Sequence, residues 1–199
     1  MATVFMVRHA SHALLNRVLA GRHIDVSLDE TGMREAEALS KTLETQAITH
    51  IHSSPRRRAQ QTASAIGRRL DLPIEMNPAL DEVDFGHWAG RAYADLDGDP
   101  LWLRWNSERV GVRAPGGECM TEVLSRLMDH ISTFSKSYPG ARVVMVTHAE
   151  VIRALILMWL GLPLSAWRGV DVPPASITRF CLHSHDGRPS DLYEEAGAT

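Results

Sequence analysis

The chain has little cysteine, no excess of positive charge and no long apolar run. Its 199 residues include two cysteines, Cys119 and Cys181, whose spacing fits neither a zinc knuckle nor a disulfide framework. Free thiols in a reducing compartment are expected. No basic stretch followed by a long apolar region opens the chain, so no signal peptide is expected. The most apolar segment, VIRALILMWLGLPL (151–164), contains Arg153 and is too short to span a bilayer. It predicts a buried helix. Lys and Arg number 21 against 24 Asp and Glu, a net charge of −3 with a pI near 6.4. No overall field therefore argues for nucleic acid or a membrane as partner, and any anion chemistry must come from a local cluster. Repeats and low-complexity segments are absent. With 44% hydrophobic and 23% charged residues, the chain has the composition of an ordinary soluble globular protein, and a cytoplasmic enzyme is the default expectation. Its length fits one domain, 1–199, with a core large enough to need no staples.

What is present begins with VFMVRHA (4–10), an apolar strand-like run that stops at Arg8-His9. Far down the chain, ARVVMVTH (141–148) does the same and ends at His148. The first run predicts a strand over 2–7, and the second a strand buried on both faces. Between them, residues 27–46 predict a helix with Met33, Ala36, Leu39 and Leu43 along one face. Residues 48–54 predict a strand, and 55–70 a helix with Pro55 in its first turn. That helix carries an apolar stripe of Ala59, Thr62, Ala63, Ile66 and Leu70. A short strand is expected over 72–77, a long helix over 117–138, a helix over 149–161, and a last strand over 175–183. Residues 84–117 differ: Trp88, Trp102 and Trp105 lie among Asp and Gly residues. They read as a small helical excursion over one end of the sheet, with Trp102 and Trp105 packing it onto the core. The polar tail from Ser184 is expected to fray.

Strands alternating with helices imply an α/β sheet covered on both faces, with a site outside the carboxyl ends of its parallel strands. If the strands ending in His9, Ser53-Ser54 and His148 are neighbours, Arg8, His9, some of Arg56, Arg57 and Arg58, and His148 converge there. Arginine pairs bidentately with phosphate, and helix N-termini add unpaired N–H groups. A neutral imidazole held at one nitrogen can attack phosphorus with the other. A leaving alkoxide needs a proton, and LDEVDFGHWAG (80–90) offers Asp81, Glu82 and Asp84, among which spacing alone does not choose. His50 and His52, on one face of their strand, and His183 and His185 near the tail, raise the separate idea of a metal site. No third ligand is placed with the first pair.

Taken in order, VRHA (7–10), AGRHIDVSLDETGMREAEAL (20–39), SSPRRRAQQTA (53–63), LDEVDFGHWAG, APGGE (114–118) and VTHAEVIRAL (146–155) resemble the histidine phosphatase superfamily, in its phosphoglycerate mutase-like branch. The likeness covers about residues 3–182. It implies a three-layer α/β/α sandwich with a mainly parallel central sheet. It also implies that His9 is phosphorylated, that Arg8, Arg58 and His148 line the phosphate pocket, and that Glu82 is the proton donor. Asn16, Arg22, His12 and Ala149 become candidate phosphate- or substrate-binding residues. The implied chemistry needs no metal and no other cofactor, and the implied partner is a small phosphorylated substrate. A homodimer is compatible with the likeness.

The chain also departs from the pattern. Ala10, Ser11 and His12 stand where the family has Gly, an acidic residue and Thr or Ser, and Asn16 follows His9 by seven positions instead of six. Ala149 and Glu150 replace the usual glycine pair after the second histidine. The segment Val83–Thr147 is short beside that of the phosphoglycerate mutases. Hydrolysis of a phosphomonoester is therefore expected ahead of mutase transfer, with a weakly catalytic phospho-ligand binding module as a further alternative.

Overall fold

The structure, a computed structural model, describes residues 2–182 and 189–195. In chain order its strands and helices are β1 (Ala2–Arg8), α1 (Glu30–Glu44), β2 (His50–Ser53), α2 (Arg57–Leu70), β3 (Ile74–Met76), α3 (Tyr93–Leu96), α4 (Pro100–Glu108), α5 (Met120–Ser137), β4 (Arg142–Thr147), α6 (Ala149–Trp159), β5 (Ile177–Leu182) and β6 (Pro189–Glu195). The strands form one sheet in the order β3-β2-β4-β1-β5-β6. β3, β2, β4 and β1 run parallel, and β5 is antiparallel to both β1 and β6. The fold is thus α/β with helices on both faces of a mainly parallel sheet, as the alternating pattern implied.

The two central strands explain the layering. Side chains alternate across a strand. Phe5 and Val7 of β1, with Val144 and Val146 of β4, pack in one cluster with Ala36, Leu39 and Leu43 of α1 and Ala59, Ala63 and Ile66 of α2. Val4 and Met6, with Val143 and Met145, join the opposite cluster with Val123, Leu127 and Ile131 of α5 and Ile152 and Leu155 of α6. The buried tryptophans Trp88, Trp102 and Trp105 belong to that second cluster. Asp99 fastens their segment, taking the Trp88 Nε1–H at 2.9 Å on one oxygen and capping α4 through Leu101 N at 2.9 Å on the other.

Several local expectations need correction. Met33 is 42% exposed, and the glycine before it turns inward instead. A Cβ on Gly32 would lie 2.0 Å from the Ser11 carbonyl oxygen, so α1 approaches the loop after His9 by backbone. Pro55 lies outside α2, which starts at Arg57 with Arg56 as its N-cap. The tail does not simply fray: residues 189–195 form the edge strand β6. Residues 183–188, His183 and His185 among them, and residues 196–199 lie outside the described residues.

The register settles how the site assembles. β1 and β4 pair Arg8 with Thr147, and β4 and β2 pair Val146 with Ser53. His9, His148 and Ser54 each come one step past these pairs. They therefore leave three adjacent strands side by side at the carboxyl edge, where His9 N donates to Thr147 O at 3.0 Å and Ser54 N to Val146 O at 2.8 Å.

Candidate active site

His9 is 4% exposed, and its Nδ1 lies 2.9 Å from the carbonyl oxygen of Ala10. A carbonyl only accepts, so Nδ1 carries the proton and the lone pair sits on Nε2. Arg58 Nε donates to that Nε2 at 3.2 Å. Burial, and then Arg58, Arg8 and His12, hold the His9 pKa well below the usual imidazole range, with the Ala10 contact opposing them. The ring is therefore neutral at physiological pH, the form that can act as a nucleophile.

Arg58 is buried at the first turn of α2 and serves both histidines. Its Nη2 donates to Gly21 O at 3.0 Å and to His148 Nδ1 at 3.1 Å. His148 is fully buried, and its ring meets that of His9 edge-on at 5.1 Å. Burial and Arg58 keep its pKa well below the usual value. Arg58 Nη1, Arg8 Nε and His12 Nδ1 are buried with no hydrogen-bond partner. Unpaired buried polar atoms are costly in a native protein, and these three, two of them arginine donors, belong to residues lining one cavity. They fit a phosphoryl group beside His9. Of the three neighbouring arginines of α2's start, only Arg58 reaches the histidines. Arg56 Nε pairs with Asp81 at 3.0 Å, and Arg57 lies 3.7 Å from Asp25.

Glu82 stands over the same pair. Its carboxylate is 3.6 Å from His148 Nδ1 and 3.9 Å from Arg58 Nη2, with 12% of the side chain exposed. Burial pushes its pKa up to about 7, against the pull of Arg58 and of its hydrogen bond from Val83 N. Such a carboxyl can give and take a proton near neutrality. Its neighbours are otherwise employed: Asp81 accepts from Glu82 N at 2.8 Å, and Asp84 from Gly86 N at 2.9 Å.

Arg22, expected at the phosphate, is placed behind Glu82 instead. Its Nε donates to Glu82 O at 2.7 Å and its Nη2 to Glu118 at 2.7 Å. Arg126 completes the brace, donating to Asp81 O at 2.8 Å and Glu82 O at 3.1 Å. Two glycines let the backbones close here. A Cβ on Gly117 would lie 2.1 Å from Asp84 O, and one on Gly86, at φ +50°, 2.1 Å from Pro115 O. The APGGE motif thus packs its backbone against the loop that follows Glu82.

The cavity holds roughly 300 Å³. Arg8, His9, Arg58 and Glu82 line its floor, and His12, Asn16 and Ala149 also face it. His12 stacks obliquely on His9 at 5.3 Å, and burial, then Arg58 and Arg8, lower its pKa to about 4. Asn16 is exposed at φ +58°, a left-handed position in the loop after His9. Ala149 opens α6, where amides have no intrahelical acceptor. Both were candidates from the family likeness, and both line the cavity.

The far wall was not anticipated. Arg109, 2% exposed, is sandwiched between Trp105 and Trp167 at 4.1 and 4.2 Å. It also binds Glu150, which accepts in addition from Arg153 Nη1 at 2.8 Å. Burial alone would raise the Glu150 pKa, but the two arginines outweigh it and hold the carboxylate ionised. Spacing could not reveal this cluster, because Arg109 arrives from the excursion and Glu150 from α6. The departure Ala149-Glu150 was its only signal.

The histidines on β2 are differently engaged. His52 Nδ1 lies 3.0 Å from His130 Nε2, and His50 packs on Phe134 and Tyr138. Among the described residues, no group of three or more His, Cys, Asp or Glu is placed to hold a metal. No helix among them is long and apolar enough to cross a membrane; α6, from the most apolar segment, is a buried helix.

With this geometry in hand, comparison with known proteins is direct. The pattern of the histidine phosphatase superfamily (branch 1) matches residues 4–194. A probable phosphoglycerate mutase GpmB of Yersinia pestis (strain Pestoides F) is 32% identical over 185 residues, covering 90% of this chain and 84% of the relative. A mycobacterial glucosyl-3-phosphoglycerate phosphatase superposes with a TM-score of 0.85 at 27% identity, over 99% of both chains. Bacillus stearothermophilus YhfR shares the fold with a TM-score of 0.90 at 23% identity, over 100% of this chain and 98% of the other. The chain belongs to the histidine phosphatase superfamily, branch 1.

Proposed function

We propose that the chain hydrolyses small phosphomonoesters in two steps, through a phosphohistidine on His9 and without a metal. The observation that carries this reading is the hydrogen bonding of His9: Nδ1–H is tied to Ala10 O, which leaves the Nε2 lone pair beside Arg58. Arg8 and Arg58 hold the phosphoryl oxygens as His9 Nε2 forms a bond to phosphorus. The phosphorus–ester oxygen bond breaks, and the leaving oxygen takes the Glu82 proton. In the second step Glu82, now ionised, removes a proton from water. The resulting oxygen bonds to phosphorus, the nitrogen–phosphorus bond breaks, and its electron pair returns to His9 Nε2. Inorganic phosphate leaves and Glu82 is again protonated.

The test is acid-labile, base-stable labelling of the protein by a phosphate-labelled ester, with turnover measured in the presence of a chelator. Labelled wild type, unlabelled and inactive His9→Ala, and chelator-resistant turnover are expected. Full activity in His9→Ala would overturn the covalent step, and loss of turnover with chelator would overturn metal independence. Phosphate binding without turnover across a broad ester panel would favour a binding module.

The 32% identity to a probable phosphoglycerate mutase supports a second reading, in which a substrate hydroxyl replaces water in the second step. The pocket chemistry is shared up to the phosphohistidine. Transfer of label from phosphoglycerate to its isomer, faster than release of inorganic phosphate, would establish this second reading over hydrolysis.

A further inference from the structure

The hydrogen atoms around His148 can be assigned one by one, and they lead away from the cavity. A guanidinium only donates, so His148 Nδ1 accepts from Arg58 Nη2 at 3.1 Å. A neutral ring then carries its proton on Nε2, which faces Ser54 Oγ at 2.8 Å. Ser54 Oγ also accepts from Arg56 N at 3.3 Å. Both of its lone pairs are thereby used, and its own hydrogen goes to Asp81 Oδ1 at 3.3 Å. Asp81 is 5% exposed and Ser54 fully buried. The chain of donors runs from Arg58 through His148 and Ser54 to the carboxylate of Asp81.

We propose that Ser54 and Asp81 are positioning residues of the phosphoryl site, which lock His148 in the Nε2–H tautomer so that His148 anchors Arg58. The locked ring matters because the other tautomer would set Nδ1–H against Nη2–H, two donors facing one another. Arg58 would then lose one of the contacts that fix its plane. With the anchor in place, both Nη2 hydrogens are committed, to Gly21 O and His148, and the Nε hydrogen points at His9. Only Nη1, buried and without a partner, is left to meet a phosphoryl oxygen. The same Asp81 oxygen accepts from Glu82 N, so one carboxylate sets the position of both Arg58 and the proton donor. Arg56 at 3.0 Å and Arg22 at 3.7 Å hold Asp81 in turn. His148 is fully buried against Arg58, and its ring also meets that of His9.

This inference rests on the phosphoryl-site reading of Arg58, but its main test does not need turnover. Long-range proton–nitrogen NMR of the wild-type protein near neutral pH should show His148 as the Nε2–H tautomer. In Ser54→Ala the Nδ1–H form should become visible, and inorganic phosphate should bind about 10- to 100-fold more weakly, the scale expected for a misplaced positioning group. kcat/KM should fall by a similar factor, and Ser54→Thr, which keeps the hydroxyl, should recover most of both. An Nδ1–H tautomer in the wild type would overturn the proposal even if no variant folds. Unchanged tautomer and phosphate affinity in a folded Ser54→Ala would overturn it too. If these signals respond but no ester is turned over, the hydrolase reading fails and the positioning role stands.

Discussion

The Arg58 guanidinium joins the two histidines of the site, with Nε 3.2 Å from His9 Nε2 and Nη2 3.1 Å from His148 Nδ1. A planar fork with fixed angles can serve both rings and still present Nη1, whereas an ammonium is a single point charge. Arg58→Lys should therefore keep the charge and lose the geometry. A fall in kcat of about 10²- to 10³-fold is expected, the scale for removing one preorganised donor from a transition state. Steady-state kinetics on an aryl phosphate checks this, and activity within a few-fold of wild type would show that charge alone suffices.

Glu82 predicts how rate depends on pH and on the leaving group. With its pKa pushed up to about 7, it is protonated below that pH and can supply a proton. For an alkyl phosphate, whose leaving oxygen needs that proton, kcat/KM should drop as pH rises above 7, by about tenfold per unit. For p-nitrophenyl phosphate, a good leaving group, the drop should be slight. Glu82→Gln should abolish most alkyl ester turnover, spare more of the aryl ester reaction, and remove the alkaline limb. Equal losses on both esters would assign Glu82 some role other than proton donor.

Much of the pocket floor was legible because period and order carry it. Apolar runs ending in Arg8-His9 and in His148 fixed two strand ends, and parallel pairing brought them together. Motif order then singled out Arg58 and Glu82, which spacing could not do. Arg22 was misplaced for a physical reason: an arginine near an acidic loop can face a ligand or brace the loop, and only the three-dimensional positions of Glu82 O and Glu118 decide. Ser54 and Asp81 were visible as a strand end and a spare carboxylate, but their linkage through His148 depends on hydrogen-bond direction. The edge strand β6 was hidden because its segment, PSDLYEE, is polar, as one side of an edge strand can be.

His12 predicts the acid limb of stability. Its folded pKa is about 4 against an ordinary 6.5, lowered by burial and then by Arg58 and Arg8, with Asp29 opposing. Between those values the unfolded chain binds the extra proton, so this residue makes stability fall as pH drops from 6.5 towards 4. Glu82 acts with the opposite sign, since its folded pKa is raised and it favours folding at the lower end of the range up to 7. His9 and His148 shift in the same direction as His12. His12→Thr should therefore give a shallower loss of Tm on acidification, though not a flat one. Calorimetry at pH 4.5 to 7 checks this, and a slope as steep as wild type would mean that His12 is protonated in the folded protein.

The far wall predicts which leaving groups are preferred. In the proposed reaction Arg8 and Arg58 answer the charge of the phosphoryl group. Beyond them Arg109 and Arg153 share the single carboxylate of Glu150, leaving one positive charge in excess beside the cavity. Trp105 and Trp167 hold Arg109 flat and exclude water from it, which strengthens its attraction for an anion. An ester whose leaving group carries a carboxylate should therefore be preferred over a neutral one of similar shape, such as phosphoglycerate over glycerol phosphate. The preference should be about tenfold in kcat/KM, a difference of roughly 1.4 kcal/mol. Arg153→Gln removes the excess charge and should erase the preference through KM, with little change on the neutral ester. Glu150→Gln should strengthen the preference if Arg109 keeps its place between the tryptophans. A wild-type enzyme that treats both esters alike would mean that the Glu150 cluster is a closed structural unit and that specificity is set nearer to His12.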